Sequence, residues 1–212
     1  MEVEENILEE KIVCNKGNMI LKINKNKLYN LSFDLKNLNI EKVNINSLLS
    51  PEIYNLIQET TKELIEKIYI LNSINENETD ICILIKSIAK EVGIKAKYMI
   101  FRTIRNINLE DDNIEFENKD LSKIDINLLE KYKKEINLDL NKYEPMIFEY
   151  GKTYINKITN NVNLTSLIDI NFSIDFIISI KDYLPIYMEN IIGLMFKKIF
   201  YNLKLFIDKL NN

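Results

Sequence analysis

The chain has 212 residues, 46% hydrophobic and 28% charged, which is typical of a globular protein and excludes a disordered one. Its formal net charge of −4 argues against general nucleic-acid binding, which normally requires an excess of Lys and Arg. The N-terminal residues have no basic region and no apolar run, so we expect no signal peptide. No apolar run of about 18 residues predicts a transmembrane segment. We therefore expect a cytoplasmic protein, in the host cytoplasm if its source is a virus or a parasite.

The first part of the chain predicts an antiparallel β-meander behind a short acidic tail or lead-in at residues 1–10. Residues 15–18 combine Asn, Lys and Gly, which is hairpin-turn chemistry, and residues 24–27 form a second polar turn. Apolar and polar residues then alternate over residues 29–36. Three strands between Lys11 and Ile45 follow from this pattern.

Helical signals dominate the next part of the chain. Ser50 is suited to an N-cap and Pro51 to the first helical position, and apolar residues at helical spacing extend this predicted helix to Asn72. A second helix is predicted over residues 79–93, ending at a glycine. A third is predicted to begin at the N-cap Asp125.

Two segments permit more than one interpretation. Residues 94–117 favour a β-hairpin, because alternating apolar residues precede an acidic turn, although residues 98–107 also fit a helix. The apolar residues 146–158 are compatible with either a strand or a helix.

The last fifty residues carry the clearest pattern. From Ile168 to Ile180, isoleucine and phenylalanine hold the even positions and polar residues most of the odd ones, which predicts a long strand with one buried face. Pro185 then suits a helix start, and a broad apolar stripe reaches Leu210. We predict that this helix is buried, with Asn190, Gly193, Lys197, Lys204 and Asp208 on its polar edge.

Together these elements predict an α+β fold: an N-terminal antiparallel β-meander, amphipathic helices, a long late β-strand and a buried C-terminal helix. No internal repeat or long linker is present, so residues 1–212 are expected to form a single domain.

Missing residue types limit the chemistry of the chain. It has no histidine, its four glycines lie far apart, and its two cysteines do not form a metal-ligand motif. We therefore expect no cofactor and no metal, and favour a protein that is not an enzyme. A carboxylate-dependent enzyme remains an alternative, with Asp169, Asp175 and Glu149 as candidate acids.

One cluster of basic residues is a candidate site for an anion or an acidic partner. It contains Lys95, Lys97, Arg102 and Arg105, and guanidinium groups favour carboxylate or phosphate recognition. Alternatively, the acidic residues at 110–117 neutralise this cluster across the predicted hairpin.

By elimination, the sequence favours a non-enzymatic interaction or regulatory protein of the inhibitor, immunity or adaptor type. Such a protein would act on a protein partner and is a possible homo-oligomer. The alternative is a small-ligand or lipid-binding sensory domain with an apolar pocket between the last helix and the sheet.

Overall fold

The computed structural model describes residues 10–87, 90, 93–108, 113–159, 167–180 and 190–211. Most of the predicted acidic lead-in and the predicted helix start at Pro185 lie outside these residues.

Nine strands form one sheet that contains most of the described chain. In chain order they are β1 (Lys11–Lys16), β2 (Met19–Ile23), β3 (Tyr29–Asn39), β4 (Ile65–Asn75), β5 (Glu78–Ile85), β6 (Ala96–Asn108), β7 (Asn113–Asp120), β8 (Tyr143–Thr159) and β9 (Leu167–Ile180). Their spatial order is β1-β2-β3-β9-β8-β7-β6-β5-β4. Neighbouring strands in this order are antiparallel.

The described helices pack on both faces of this sheet. They are α1 (Ile45–Leu48), α2 (Ile53–Thr60), α3 (Leu121–Ile124), α4 (Ile126–Glu135) and α5 (Ile191–Asn211). The α+β prediction is thus confirmed, with more sheet than the sequence indicated. That residues 1–212 form a single domain stays a prediction.

The N-terminal meander is confirmed. Gly17 and Asn18 have φ values of 64° and 57°, so they form the tight turn that joins Lys16 to Met19. Strand β3 then pairs with β9, which places the last strand of the sheet next to the N-terminal meander. Phe33 and Phe172 stack across this pair with their ring centroids 4.8 Å apart.

The long alternating strand is also confirmed as β9. Its even residues from Ile168 to Phe176 are buried, while the odd ones are half-buried. The buried side faces α5, since Phe176 lies 4.8 Å from Phe196 of that helix. We call this side of the sheet the inner face, and the opposite side the outer face.

Helix α5 lies against the inner face, as the broad apolar stripe predicted. Two of its five expected polar-edge residues, Gly193 and Lys197, are nevertheless buried, so that part of the prediction is wrong. Gly193 is buried because the helix backbone approaches Tyr29 closely. Lys197 is buried along its stem, and its Nζ donates to the carbonyl of Lys16 over 3.4 Å.

We expect Gly193→Ala to destabilise the protein. An added Cβ would lie 2.5 Å from Cε1 of Tyr29, and that ring is fixed by stacking on Phe176. Overpacking costs about 1–3 kcal/mol, which outweighs the gain of up to about 1 kcal/mol in helix propensity. Urea unfolding measures the change, with Leu194→Ala at an exposed site of the same helix as the control; a more stable Gly193→Ala variant would contradict the close approach.

Two of the predicted helices are wrong in whole or in part. The helix that starts after Pro51 ends at Thr60, and residues 65–75 form β4 instead of its continuation. The helix predicted over residues 79–93 is largely the strand β5. Both faces of β5 are buried, so its sequence lacks the alternation that marks a strand.

The ambiguous segments are resolved as strands. Strands β6 and β7 form the favoured hairpin, and residues 146–158 belong to β8. Asp125 caps α4 as predicted, accepting a hydrogen bond from the backbone N–H of Leu128 at 2.9 Å. Helices α3 and α4 cover the outer face, where Leu121, Leu129 and Tyr132 pack against β5 and β6.

Candidate functional site

An apolar cavity lies between the inner face of the sheet and the helices α2 and α5. The space open to a water-sized molecule measures about 80 Å³, whereas all the space between its walls, including the opening to solvent, is about 880 Å³. Ligand pockets commonly measure about 300–1,000 Å³, so the cavity as it stands is small for a ligand pocket.

Side chains from both helices and from strands β4 to β9 form the walls. The apolar members are Ile53, Ile57, Ile65, Ile83, Ile85, Met99, Phe101, Phe116, Phe148, Ile155, Phe172, Ile174, Phe176, Phe196, Ile199 and Phe200. Phe148 packs edge-on against Phe101 at 5.1 Å and against Phe196 at 6.2 Å, so a continuous aromatic wall joins the sheet to α5.

A few neutral polar groups interrupt this lining. The Tyr54 hydroxyl of α2 donates to Oδ1 of Asn118 on β7 over 3.4 Å, and Thr153 of β8 also lines the cavity. Burial raises the pKa of Tyr54 well above its usual range, so its hydroxyl stays protonated at neutral pH. The sequence carried no signal for these residues, because they lie about 35 to 100 positions apart and belong to no motif.

The charged residues along the cavity are already paired. Lys152 Nζ lies 2.7 Å from Glu115 Oε1, and Asp175 Oδ1 accepts from Asn30 Nδ2 at 2.6 Å. Lys152 and Asp175 carry opposite charges and lie opposite each other across β8 and β9. The cavity therefore presents little net charge to a ligand.

The structure separates the predicted basic cluster into three parts. Lys95 and Lys97 both contact Glu144, at 3.3 and 3.0 Å. Arg102 lies on the outer face, where its guanidinium makes a bidentate contact with the fully buried Asp80 at 2.7 and 3.1 Å.

Arg105 differs from these three, because no described carboxylate pairs with it and its buried Nε has no hydrogen-bond partner. The partners of the other basic residues come from β5 and β8 instead of from the predicted acidic segment. Anion binding at the cluster stays a prediction.

The three candidate catalytic carboxylates each have a separate partner. Asp169 accepts from the backbone N–H of Asn37 at 2.7 Å, Asp175 accepts from Asn30, and Glu149 contacts Lys123. The hydrogen bond from Lys123 is the main reason that the pKa of Glu149 is lowered. In the described part of the chain, no group of three acidic or cysteine side chains is placed to hold a metal ion.

A second concavity, of about 480 Å³, lies on the outer face beside α4. We call this the outer groove. Tyr98, Leu129, Lys133 and Tyr143 are among the residues that line it, and it is open and more polar than the inner cavity.

Comparison with solved structures identifies the fold. The chain matches human StAR-related lipid transfer protein 5 with a TM-score of 0.68 at 12% identity, over 98% of this chain and 90% of that one. It matches the human StarD13 (DLC2) lipid transfer and protein localization domain with a TM-score of 0.65 at 10% identity, over 98% and 91% of the two chains. This is a helix-grip fold.

A third match within the helix-grip fold is human STARD10, with a TM-score of 0.61 at 9% identity over 94% of this chain and 73% of that one. No protein-family model matches the sequence, and no curated protein matches it. At such low sequence identities, the three matches show a shared fold alone, in which the sheet wraps around a C-terminal helix.

The helix-grip fold corrects the first functional prediction. An inhibitor, immunity or adaptor protein acting on a protein partner was expected, and this is wrong, because the matched structures are lipid transfer domains. The alternative that the sequence left open, a small-ligand or lipid-binding domain, stays a proposal. Among the described helices, none combines the length and apolarity needed to cross a bilayer.

Proposed function

We propose that the protein binds a slender apolar ligand of the lipid class in the cavity beneath α5. The observation that carries this proposal is the continuous aliphatic and aromatic lining between the inner face and the two covering helices. The likeness to the fold of lipid transfer domains supports it.

The physical basis of binding would be the hydrophobic effect. Each Å² of apolar surface that leaves water contributes about 25 cal/mol, and an acyl chain along Phe101, Phe148 and Phe196 would lose most of its contact with water. Because the cavity is small, α2 or α5 would move away from the sheet to admit a lipid chain. A single chain requires a smaller movement than a fused ring system.

Recovery of a bound lipid tests this proposal. The purified protein is incubated with vesicles made from a mixed lipid extract, re-isolated by gel filtration, and analysed by native mass spectrometry. We expect complexes with one lipid per chain, and a mass distribution dominated by single-chain species. A folded protein that retains no lipid from any mixture would contradict the proposal.

We further propose that the protein acts in the cytoplasm. Cys14 and Cys82 are both free, which fits a reducing compartment.

A further inference from the structure

We propose that the ligand carries an uncharged hydrogen-bonding end group, such as a hydroxyl, and that Asn118 and Thr153 hold it with Tyr54 beside them. This inference rests on the proposed function and adds the chemical class of the ligand.

Unused hydrogen-bonding capacity is the first observation. Asn118 accepts the bond from Tyr54 through Oδ1, but its Nδ2 donates to no described group. The Thr153 hydroxyl likewise has no hydrogen-bond partner within the described residues, although it lines the same cavity. The described buried side-chain atoms without a partner are Thr103 Oγ1 and Arg105 Nε, so Asn118 Nδ2 and Thr153 Oγ1 still contact solvent. A ligand that covers these two groups without supplying a hydrogen-bond partner loses about 1–3 kcal/mol, so a ligand that supplies the partner is favoured.

Asn118 and Thr153 lie close together on neighbouring strands. Gly151 lies on β8 beside Asn118, and a Cβ at that glycine would come within 3.2 Å of Asn118 Cβ and of Phe148 Cδ1. The glycine therefore lets the β8 backbone approach Asn118 and Phe148 closely. Thr153 is two residues further along β8 and points to the same face of the sheet.

The absence of an unpaired charge along the described lining favours an uncharged end group. The cations and anions along the cavity are paired with other side chains, and Arg105 is not among the residues that line it. A carboxylate or an ammonium group would lose its hydration with only neutral partners to replace it. A hydroxyl can donate to one neutral group and accept from another without this cost.

A matched ligand series tests the inference. Calorimetric titrations compare 1-dodecanol, dodecanoate and dodecylammonium at pH 8, since these share one chain and differ only in the end group. We expect 1-dodecanol to bind at least about tenfold more tightly than either charged ligand.

Substitutions at the two polar residues locate the end group. Thr153→Val and Asn118→Leu preserve the approximate shape of the side chains. Each is expected to weaken the binding of 1-dodecanol about three- to tenfold, which is the effect of one lost hydrogen bond. Asn156→Leu, on the outward side of β8 at an exposed position, is the matched control and should change nothing. Thermal unfolding shows that each variant is folded.

The outcomes separate the two proposals. If none of the three ligands binds and no lipid is recovered from vesicles, the proposed function fails. If the three ligands bind equally well, or if the variants bind 1-dodecanol as the parent does, the cavity still binds apolar chains and only the inference is overturned. If dodecanoate binds more tightly than 1-dodecanol and the Arg105→Gln variant loses this preference, the inference is overturned in favour of an anionic end group.

Discussion

Replacing Ile83 by Trp should reduce lipid binding at least about tenfold, a loss of 1.4 kcal/mol or more in binding free energy. Ile83 lies on β5, lines the cavity and is half-buried. The larger indole would occupy the narrow space that the ligand chain needs. Because the cavity itself accepts part of the added volume, we expect the folded state to lose only about 1 kcal/mol, at the low end for overpacked sites.

A matched substitution separates a filled cavity from a general effect of tryptophan. Ile12 is 58% exposed on β1, a strand at the far edge of the sheet, so Ile12→Trp should leave lipid binding unchanged. Binding is measured by native mass spectrometry after incubation with vesicles, and stability by urea unfolding. Undiminished binding by a folded Ile83→Trp variant would place the ligand elsewhere.

Removing the carboxylate of Asp80 should destabilise the protein by about 1.5–3 kcal/mol, because the partly exposed Arg102 guanidinium loses its charged hydrogen-bond acceptor. Asp80 is fully buried on the outer face, where it contacts the Arg102 guanidinium and accepts from the Tyr132 hydroxyl at 2.8 Å. Burial, reinforced by Asp80, raises the pKa of Tyr132 to about 12, so this hydroxyl remains a donor over the physiological range. The network fixes α4 to β5 and β6.

Urea unfolding of Asp80→Ala and Asp80→Asn measures this contribution. The asparagine variant retains an acceptor for Tyr132 and loses only the charge, so it should be less destabilised. Asp208→Ala is the control, since its pair with Lys204 lies on the surface of α5 and should contribute less than about 0.5 kcal/mol. A loss below about 1 kcal/mol in Asp80→Ala would show that the network is not important for stability.

The parts of the fold that the sequence predicted are those with one buried face. Strand β9 alternates because its inner residues pack under α5 while the outer ones remain half-buried. Strand β5 was missed because its outer residues, such as Cys82, pack beneath α4 while Ile81 packs inward. Burial on both faces removes the alternation by which a strand is recognised.

The helix predicted to reach Asn72 shows a different limit. Ser50 and Pro51 lie just before a helix, but its N-cap is Glu52 and its first residue is Ile53. Leu64, Ile68 and Leu71 share helical spacing by coincidence. Side-chain spacing alone does not show where a helix ends when apolar residues in the following strand happen to continue at intervals of three or four.

The candidate site was predictable only in outline. An apolar cavity between the last helix and the sheet was inferred as an alternative from composition and from the apolar stripe of α5. Its polar residues were not predictable, since Tyr54, Asn118 and Thr153 meet only through the pairing of β7 with β8 and the docking of α2. The basic cluster was misleading, because most of its charges are neutralised by buried or neighbouring carboxylates such as Asp80 and Glu144.

Photocrosslinking tests the central claim most directly, because it locates the ligand. A twelve-carbon alcohol with a diazirine near its chain end is bound, irradiated and mapped by peptide mass spectrometry. If the ligand occupies the inner cavity, crosslinks will fall on residues such as Phe148, Phe172 and Phe196, and Ile83→Trp will suppress them. Crosslinks confined to the outer groove, at Tyr98 or Leu129, would contradict binding beneath α5.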